Sequence, residues 1–155
     1  MSTSSATSEK LNSPQVRQFS VFLRNKVGAM LEVVKLLEEN NVVVLALSLT
    51  ESSESALGRM IVSDPERVAA LFRENDIPYS DCRMTVVELK EGPSDLAAVL
   101  SALLMAEVNI HFCFPLLIRP RGRAVIALHL DDCECACSVL RGEGFTLLSQ
   151  GDLSR

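Results

Sequence analysis

The stretch Phe19-Ser-Val-Phe-Leu-Arg-Asn-Lys-Val-Gly28 joins the first predicted strand to the first predicted helix. Residues 18–23 alternate apolar and polar side chains, which is the period of a strand. Residues 29–40 repeat apolar side chains every three or four positions, as an amphipathic helix does. Between them, residues 25–28 are predicted to be a turn in which Gly28 lets the backbone approach a ligand closely. The unbonded N–H groups at the helix start suit a small carboxylate.

The amino-acid composition limits the classes of protein to which the chain can belong. Nearly half of the 155 residues are apolar and there is no Trp, so we expect an aliphatic core in one domain or two small ones. The net charge of -5 argues against nucleic acids and acidic membranes as partners. Residues 1–14 lack the apolar block of a secretory signal, so we expect a disordered tail. Five cysteines, three of them clustered, favour reduced thiols and a cytoplasmic protein.

The predicted elements repeat once along the chain. Residues 15–82 and residues 83–155 each run strand, helix, strand, strand, helix, strand. This order predicts an α+β fold of two ferredoxin-like βαββαβ units, each with an antiparallel sheet and helices on one face. The second unit should contain a helix capped by Ser94 or Asp95 and running to about Glu107, then strands over 108–118 and 124–130. Four pairs of equivalent residues support the alignment of the two halves: Met30 with Leu96, Leu37 with Leu103, Asp64 with Asp132 and Arg73 with Arg141.

The predicted helix at the start of the second unit is apolar all round. Ser101 is the only polar residue between Leu96 and Ala106, whereas the equivalent helix of the first unit carries charged residues. A helix that is apolar on every side is buried on every side, and one sheet covers only one of them. We therefore expect its other side to pack on a second copy of the chain, as a homodimer.

The chain resembles tandem ACT-domain proteins from about residue 15 to residue 153. The resemblance rests on the opening stretch and on Asn40-Asn-Val-Val-Val44, Arg59-Met-Ile-Val-Ser-Asp-Pro-Glu-Arg67 and Leu147-Leu-Ser-Gln-Gly-Asp-Leu153. It implies a non-catalytic regulatory protein without a cofactor, which binds an amino acid and modulates a partner biosynthetic enzyme of amino-acid metabolism. The family includes regulatory subunits of acetolactate synthase, which makes that enzyme and branched-chain amino acids the expected partner and ligands.

The resemblance also implies a site. It would take backbone groups of the first loop and an apolar pocket on a strand of the paired unit. The residues are Asn25, Lys26, Val27, Gly28, Ala29 and Met30 in the loop, with Phe112 and Phe114 on the strand.

Two departures from the family pattern concern the loops. Val27 stands where the family often has Pro, which leaves the first loop less rigid. In the second unit Ser94 takes the place of Gly28, and Asp95 would occupy the positive helix end and repel a carboxylate. We therefore expect the second loop to bind weakly or not at all.

Other polar and reactive residues are interpreted structurally. A metal site at Cys133, Cys135 and Cys137 would need converging thiolates, and on a helix Cys135 points away from the other two. His111 and His129 lack a nucleophile and an orienting carboxylate, so we expect structural roles. Three arginines, at 119, 121 and 123, mark a hairpin tip that is either solvated or in contact with an anion. Arg59 could bridge to Glu88 or Asp81, or point into water.

Two other functions stay open at this point. One is an assembly module without a ligand, which the apolar helix of the second unit suits equally well. The other is a small ferredoxin-like enzyme of acylphosphatase type, which would want an Arg in a phosphate-cradling first loop. That loop offers Asn25 and Lys26 but no glycine-rich cradle. The identity of the amino acid and of the regulated enzyme is open too, as is whether sites form within one chain or between two.

Overall fold

The computed structural model describes residues 15–24, 26–51 and 54–154, and of Lys26 and Val27 the backbone alone. In chain order the strands and helices are β1 (Gln15–Leu23), α1 (Lys26–Glu39), β2 (Val44–Glu51), β3 (Ala56–Val62), α2 (Pro65–Glu74), β4 (Tyr79–Leu89), α3 (Leu96–Met105), β5 (Ile110–Pro115), β6 (Ala124–Leu130), α4 (Cys133–Gly142), β7 (Leu147–Leu148) and α5 (Gln150–Leu153). Short 3-10 turns occupy Gly92–Asp95 and Pro120–Gly122. In the part of the chain that the structure describes, no helix is both long and apolar enough to cross a membrane.

The chain divides into two compact units. The first unit contains residues 17–82 with Ser154, and among the described residues the second contains 83–153 with 15 and 16. Strand order is β2-β3-β1-β4 in the first unit and β7-β4-β6-β5 in the second. The pairs β1–β3, β2–β3, β4–β6, β4–β7 and β5–β6 are antiparallel. This confirms two ferredoxin-like βαββαβ units. Strand β4 supplies residues to both, ending the first unit at Cys82 and opening the second at Arg83.

The second helix of each unit begins at an aspartate cap. The Asp64 side chain accepts a hydrogen bond from the Arg67 backbone N–H at 3.2 Å. The Asp132 side chain accepts one from the Cys135 N–H at 3.0 Å. Each cap satisfies one N–H that would otherwise lack a partner, which stabilises a helix by about 1 kcal/mol. The two caps have nearly identical backbone angles, so the sequence repeat is also a repeat of local geometry.

Four helices end in the same way, with a residue of left-handed conformation. These residues are Asn41 after α1, Asp76 after α2, Glu107 after α3 and Gly144 after α4. In each case the next residue donates its N–H to a carbonyl of the last helical turn, as Val42 does to Leu37 at 2.9 Å. The motif turns the chain back towards the sheet.

The two units have cores of different chemistry. In the first unit the rings of Phe19, Phe72 and Tyr79 pack edge-on or tilted, with centroids 5.4 to 5.7 Å apart. The buried core cluster of the second unit is aliphatic, with Leu128 and Leu140 among its most buried members. Because Tyr79 is the sole tyrosine and the chain has no Trp, the first unit holds the only strongly absorbing ring of the sequence.

The structure differs from the sequence-based expectations at several element ends. Helix α1 starts at Lys26, so Gly28 is the third residue of the helix and not part of a preceding turn. The helix expected to be capped by Ser94 or Asp95 is preceded by a 3-10 turn, and neither residue makes the expected cap. Strand β5 covers only Ile110–Pro115 of the expected 108–118. It starts later than expected because the Val108 N–H is bonded to the Leu103 carbonyl at the end of α3. Helix α5 was not predicted.

Candidate functional site

The first turn of α1 is the backbone part of the predicted site. Its opening N–H groups, on Lys26, Val27 and Gly28, have no acceptor within the helix and lie at the positive end of its dipole. Asn25, the first residue of the predicted site, lies outside the described residues. The side chain of Met30 is 9% exposed and belongs to the core. A Cβ at Gly58 in β3 would overlap the terminal methyl group of Met30, which would have to move.

An open groove of about 570 Å³ lies beside α1, within the first unit. The end of β1, one side of α1 and the connection between α2 and β4 form its walls. Its apolar lining includes Leu23, Ala29, Val33, Leu36 and Ile77. Glu32, Glu39 and Asp76 add carboxylates, and Lys35 adds a cation. Ala29 thus connects the predicted binding residues to a cavity, and the groove offers an apolar surface with acidic groups around it.

The predicted aromatic part of the site lies in the second unit. The rings of Phe112 and Phe114 are parallel within 3°, with centroids 6.4 Å apart. Phe112 also stacks on His129, with ring centroids 4.7 Å apart, and Phe114 is only 6% exposed. Both rings are therefore packed within their own unit. The pairing of this strand with the first loop stays a prediction.

The second loop is closed by its own side chains. The Ser94 hydroxyl donates to the Glu91 carbonyl at 3.0 Å. Asp95 Oδ2 accepts from the Glu91 N–H, also at 3.0 Å. The Asp95 carboxylate therefore stabilises the 3-10 turn and does not cap α3, although its charge still lies beside the helix start.

An ion pair between a buried glutamate and a half-exposed arginine of the second unit was not predicted. Glu88 is 2% exposed, and its Oε1 lies 2.6 Å from Nη1 of Arg123. Asp81 is bound by Arg17 at 2.6 Å. From the sequence, Arg59 could form an ion pair with Glu88 or Asp81 or point into water. In the structure it donates to the Thr50 hydroxyl at 3.3 Å. The isolated charge of Glu88 within an apolar strand is the signal that could have identified the pair.

The cysteines and histidines make local contacts. Burial raises the pKa of the Cys137 thiol, and the neighbouring Thr85 hydroxyl opposes that rise. No group of three or more His, Cys, Asp or Glu residues suited to a metal ion occurs within residues 15–24, 26–51 and 54–154. The rings of His111 and His129 lie 5.2 Å apart. Hydrogen bonds from Asn109 lower the pKa of Asp131, and the nearby charge of His111 acts in the same direction.

A family model described as an ACT domain pair matches residues 14–155, so the chain belongs to that family and the resemblance is confirmed. Comparison with curated proteins finds no match. Among solved structures, protein BT0572 from Bacteroides thetaiotaomicron is 26% identical, with a TM-score of 0.84 over 93% of this chain and 99% of that chain.

Two more distant structures share the fold. The ligand-free regulatory subunit of aspartate kinase from Thermus thermophilus is 12% identical, with a TM-score of 0.59 over 83% of this chain and 90% of that chain. The aspartokinase alpha and beta subunits are 14% identical, with a TM-score of 0.55 over 84% and 93% of the two chains.

Proposed function

We propose that this ACT domain pair is a non-catalytic regulatory protein that binds a free amino acid in its first unit. Binding would favour one arrangement of the chain over another and so alter the activity of an enzyme of amino-acid metabolism. Family membership supports a regulatory role, and the fold is shared with a regulatory subunit of aspartate kinase. The observation that carries the proposal is the groove that adjoins the first turn of α1.

The groove has the chemistry that an amino acid needs. The unbonded N–H groups of the first turn of α1 can donate hydrogen bonds to the ligand carboxylate. The carboxylates of Glu32, Glu39 or Asp76 can accept its ammonium group, and Val33 and Ile77 provide apolar contact for its side chain. A volume of about 570 Å³ lies within the usual range of ligand pockets, roughly 300 to 1,000 Å³. Its described lining residues present no hydroxyl, thiol or imidazole, which favours binding over catalysis.

The finer identities are proposals as well. The aliphatic lining of the groove favours branched-chain amino acids, which makes acetolactate synthase the first enzyme to test as a partner. Aspartate kinase is the second, because a regulatory subunit of that enzyme has this fold. We further propose that Phe112 and Phe114 cover the ligand side chain, supplied either by the same chain or by a second copy.

A thermal-shift screen of the full chain against the twenty amino acids tests the proposal. A ligand at ~100 times its Kd adds ~2.7 kcal/mol to the free energy of unfolding. Gly28→Asp places a carboxylate at the positive end of α1, where it should exclude the ligand carboxylate while still favouring the helix. Gly142→Asp is the matched control, because a Cβ added there meets nothing within 4 Å.

The expected result is one amino-acid class that raises the melting temperature of the wild type and of Gly142→Asp, but not of Gly28→Asp. A screen with no shift, or a shift that survives Gly28→Asp, would overturn binding at this site.

The alternative of an assembly module is favoured by one observation. Helix α3 buries Val99 and Leu103 in its own unit, while Leu104 and Met105 on its other side are 77% and 86% exposed. Sedimentation equilibrium at micromolar concentration should then show a dimer that Leu104→Glu dissociates. Leu117→Glu changes an equally exposed leucine outside α3 and should leave the dimer intact. A monomeric wild type would exclude this alternative.

A further inference from the structure

The two histidines of the sequence lie side by side on neighbouring strands of the second unit. His111 is on β5 and His129 is on β6, and the centroids of their rings are 5.2 Å apart. His111 is exposed and His129 is partly buried, so solvent reaches the pair from the side of His111. The fold therefore brings together two imidazoles that are 18 positions apart in the sequence.

A β-bulge in β5 creates this contact. The ladder pairs Ile110 with Leu130 but Phe112 with His129, so β5 carries one extra residue at His111. In a regular strand His111 and Phe112 would point to opposite faces of the sheet. A bulge sets two residues against one and re-aims a side chain, and bulges are frequent next to functional sites. Here both rings contact His129, and that of Phe112 stacks on it with centroids 4.7 Å apart.

The separation of the two histidine rings matches that of two imidazoles on one metal ion. A Zn–N bond of about 2.1 Å and a tetrahedral angle place the ring centroids of two zinc ligands roughly 5 Å apart. The observed separation is 5.2 Å. Stacking on Phe112 restrains the ring of His129, whereas the exposed ring of His111 can turn towards an ion.

A carboxylate adds negative charge beside the pair. Asp131 follows β6 and lies within electrostatic reach of His111. Its two oxygens accept hydrogen bonds from the N–H and the side-chain amide of Asn109, at 3.0 and 2.9 Å. Asp131 is therefore held as a neighbouring charge and not as a third ligand, in agreement with the lack of a three-residue metal cluster among the described residues. A fixed negative charge next to two imidazoles favours a cation there.

We propose that His111 and His129 bind a divalent transition-metal ion of the zinc class through their imidazole nitrogens, with water at the other coordination positions. Zinc, copper and nickel suit imidazole ligands, whereas magnesium and calcium prefer oxygen. The ion joins β5 to β6 across the bulge. This site goes beyond the proposed regulatory function and shares no residue with the lining of the groove beside α1.

Nuclear magnetic resonance of the untagged full chain tests the proposal. Because the sequence has only two histidines, every histidine ring signal reports this site. Zinc chloride should shift the ring signals of both histidines together, and magnesium chloride at the same concentration should shift neither. The proposal is overturned if zinc leaves either ring unchanged, or if magnesium has the same effect.

Variants separate this site from zinc binding by thiols. In His111→Gln the ring signal of His129 should need at least ~10-fold more zinc to shift, because loss of even an outer partner of a metal ligand typically costs ~10- to 100-fold in affinity. His111 is exposed, so this variant should keep the fold. Cys113→Ser is the matched control, since it removes the exposed thiol of the same strand and should not change the zinc dependence.

The reverse pattern would assign the ion to the thiol. An unchanged zinc dependence of His129 in His111→Gln, or a loss of the ring shifts in Cys113→Ser, overturns the two-histidine site.

Discussion

In the first unit α1 begins as a regular helix at Lys26, whereas in the second unit the 3-10 turn Gly92–Asp95 precedes α3. The glycine at the start of α1 is replaced by Ser94, and Asp95 bonds back to Glu91. Strand order, helix caps and helix ends are nevertheless shared by the two units. The difference teaches that the repeated scaffold is maintained by local signals at the second helix, while the first loop is the part that varies.

The outer faces of α1 and α3, the first helix of each unit, also differ. Glu32, Lys35 and Glu39 of α1 border a groove, whereas Leu104 and Met105 of α3 are apolar and exposed. One helix presents groups that can bind a charged molecule, and the other presents a surface suited to apolar association. The two units of one chain thus present different surface chemistry on a common topology.

The largest expected effect concerns the two cores. Phe72 and Leu140 are equivalent in the repeat and both are 0% exposed. Phe72→Ala should cost about 3–5 kcal/mol and Leu140→Ala about 2–5 kcal/mol. The urea midpoint measured by Tyr79 fluorescence should fall further in Phe72→Ala than in Leu140→Ala, because Tyr79 packs on the ring of Phe72. Equal shifts of the urea midpoint in both variants would mean that the two cores unfold together, which would contradict the contrast between them.

A smaller effect compares an ion pair in each unit. Arg123 and Asp81 are the exposed partners of Glu88 and Arg17, at 45% and 41% side-chain exposure. Arg123→Ala should cost about 1–3 kcal/mol, because it leaves the Glu88 carboxylate buried without a donor. Asp81→Ala should cost less than about 1 kcal/mol, since water can reach Arg17.

Chemical denaturation of the two single variants measures both effects. Adding Glu88→Gln to Arg123→Ala should recover part of the lost stability, because the buried charge is removed. Failure of that rescue would show that Arg123 acts through its packing alone.

The next prediction exchanges loop chemistry between the units. Asp95→Gly removes the carboxylate beside α3 and the bond to the Glu91 N–H, at a cost of about 0.5–1.5 kcal/mol. We expect the second loop then to bind an amino acid, seen as an increased stoichiometry in titration calorimetry. Glu91→Gly is the control, because it deletes a neighbouring carboxylate and keeps Asp95. An unchanged stoichiometry would contradict the role given to Asp95.

The smallest expected effect concerns one hydrogen bond that stands at the same position in each unit, just before the strand that follows the first helix. The Val43 N–H donates to the Ser63 hydroxyl at 2.9 Å, and the equivalent Asn109 N–H donates to the Asp131 carboxylate at 3.0 Å. Hydrogen bonds from Asn109 hold the pKa of Asp131 below its ordinary value. The stabilisation is therefore present at neutral pH and is lost as pH falls below about 3.9 and through the lowered pKa.

Hydrogen exchange at acid pH measures this difference directly. The Asn109 amide should lose protection as Asp131 becomes protonated, while the Val43 amide should keep its own. Asp131→Ser should make the Asn109 amide behave like that of Val43. Parallel loss of protection at both amides would indicate general unfolding and remove the contrast.

The parts of the fold that sequence could predict are those set by local chemistry. The helix caps at Asp64 and Asp132 can be recognised in the sequence, because a capping aspartate accepts a hydrogen bond from an N–H only three residues further along the chain. The bounds of Ala124–Leu130 followed from continuous apolar residues between two polar turns. The start of α1 was predicted too late in the chain, because Gly28 suggested a turn. A glycine can nevertheless lie in the first turn of a helix, since the N–H groups there have no partner within the helix.

Other features depend on residues that are distant in the chain. Arg123 reaches Glu88 across 35 positions because β4 and β6 pair with Glu88 opposite Val125. No local pattern specifies that register. The groove beside α1 likewise needs the connection between α2 and β4 to close it. The backbone part of the candidate site could be predicted from one loop, whereas its walls required the folded unit.

The exposed end of α3 has a consequence for the chemistry of the protein in air. Met30, Met60 and Met84 are at most 9% exposed, while Met105 is 86% exposed. Among the described methionines, mild peroxide should therefore oxidise Met105 first, because the thioether must be reached by the oxidant. The product is a polar sulfoxide in the middle of the apolar surface that Leu104 helps to form. Ageing of a purified sample would then change this surface before it changes the fold.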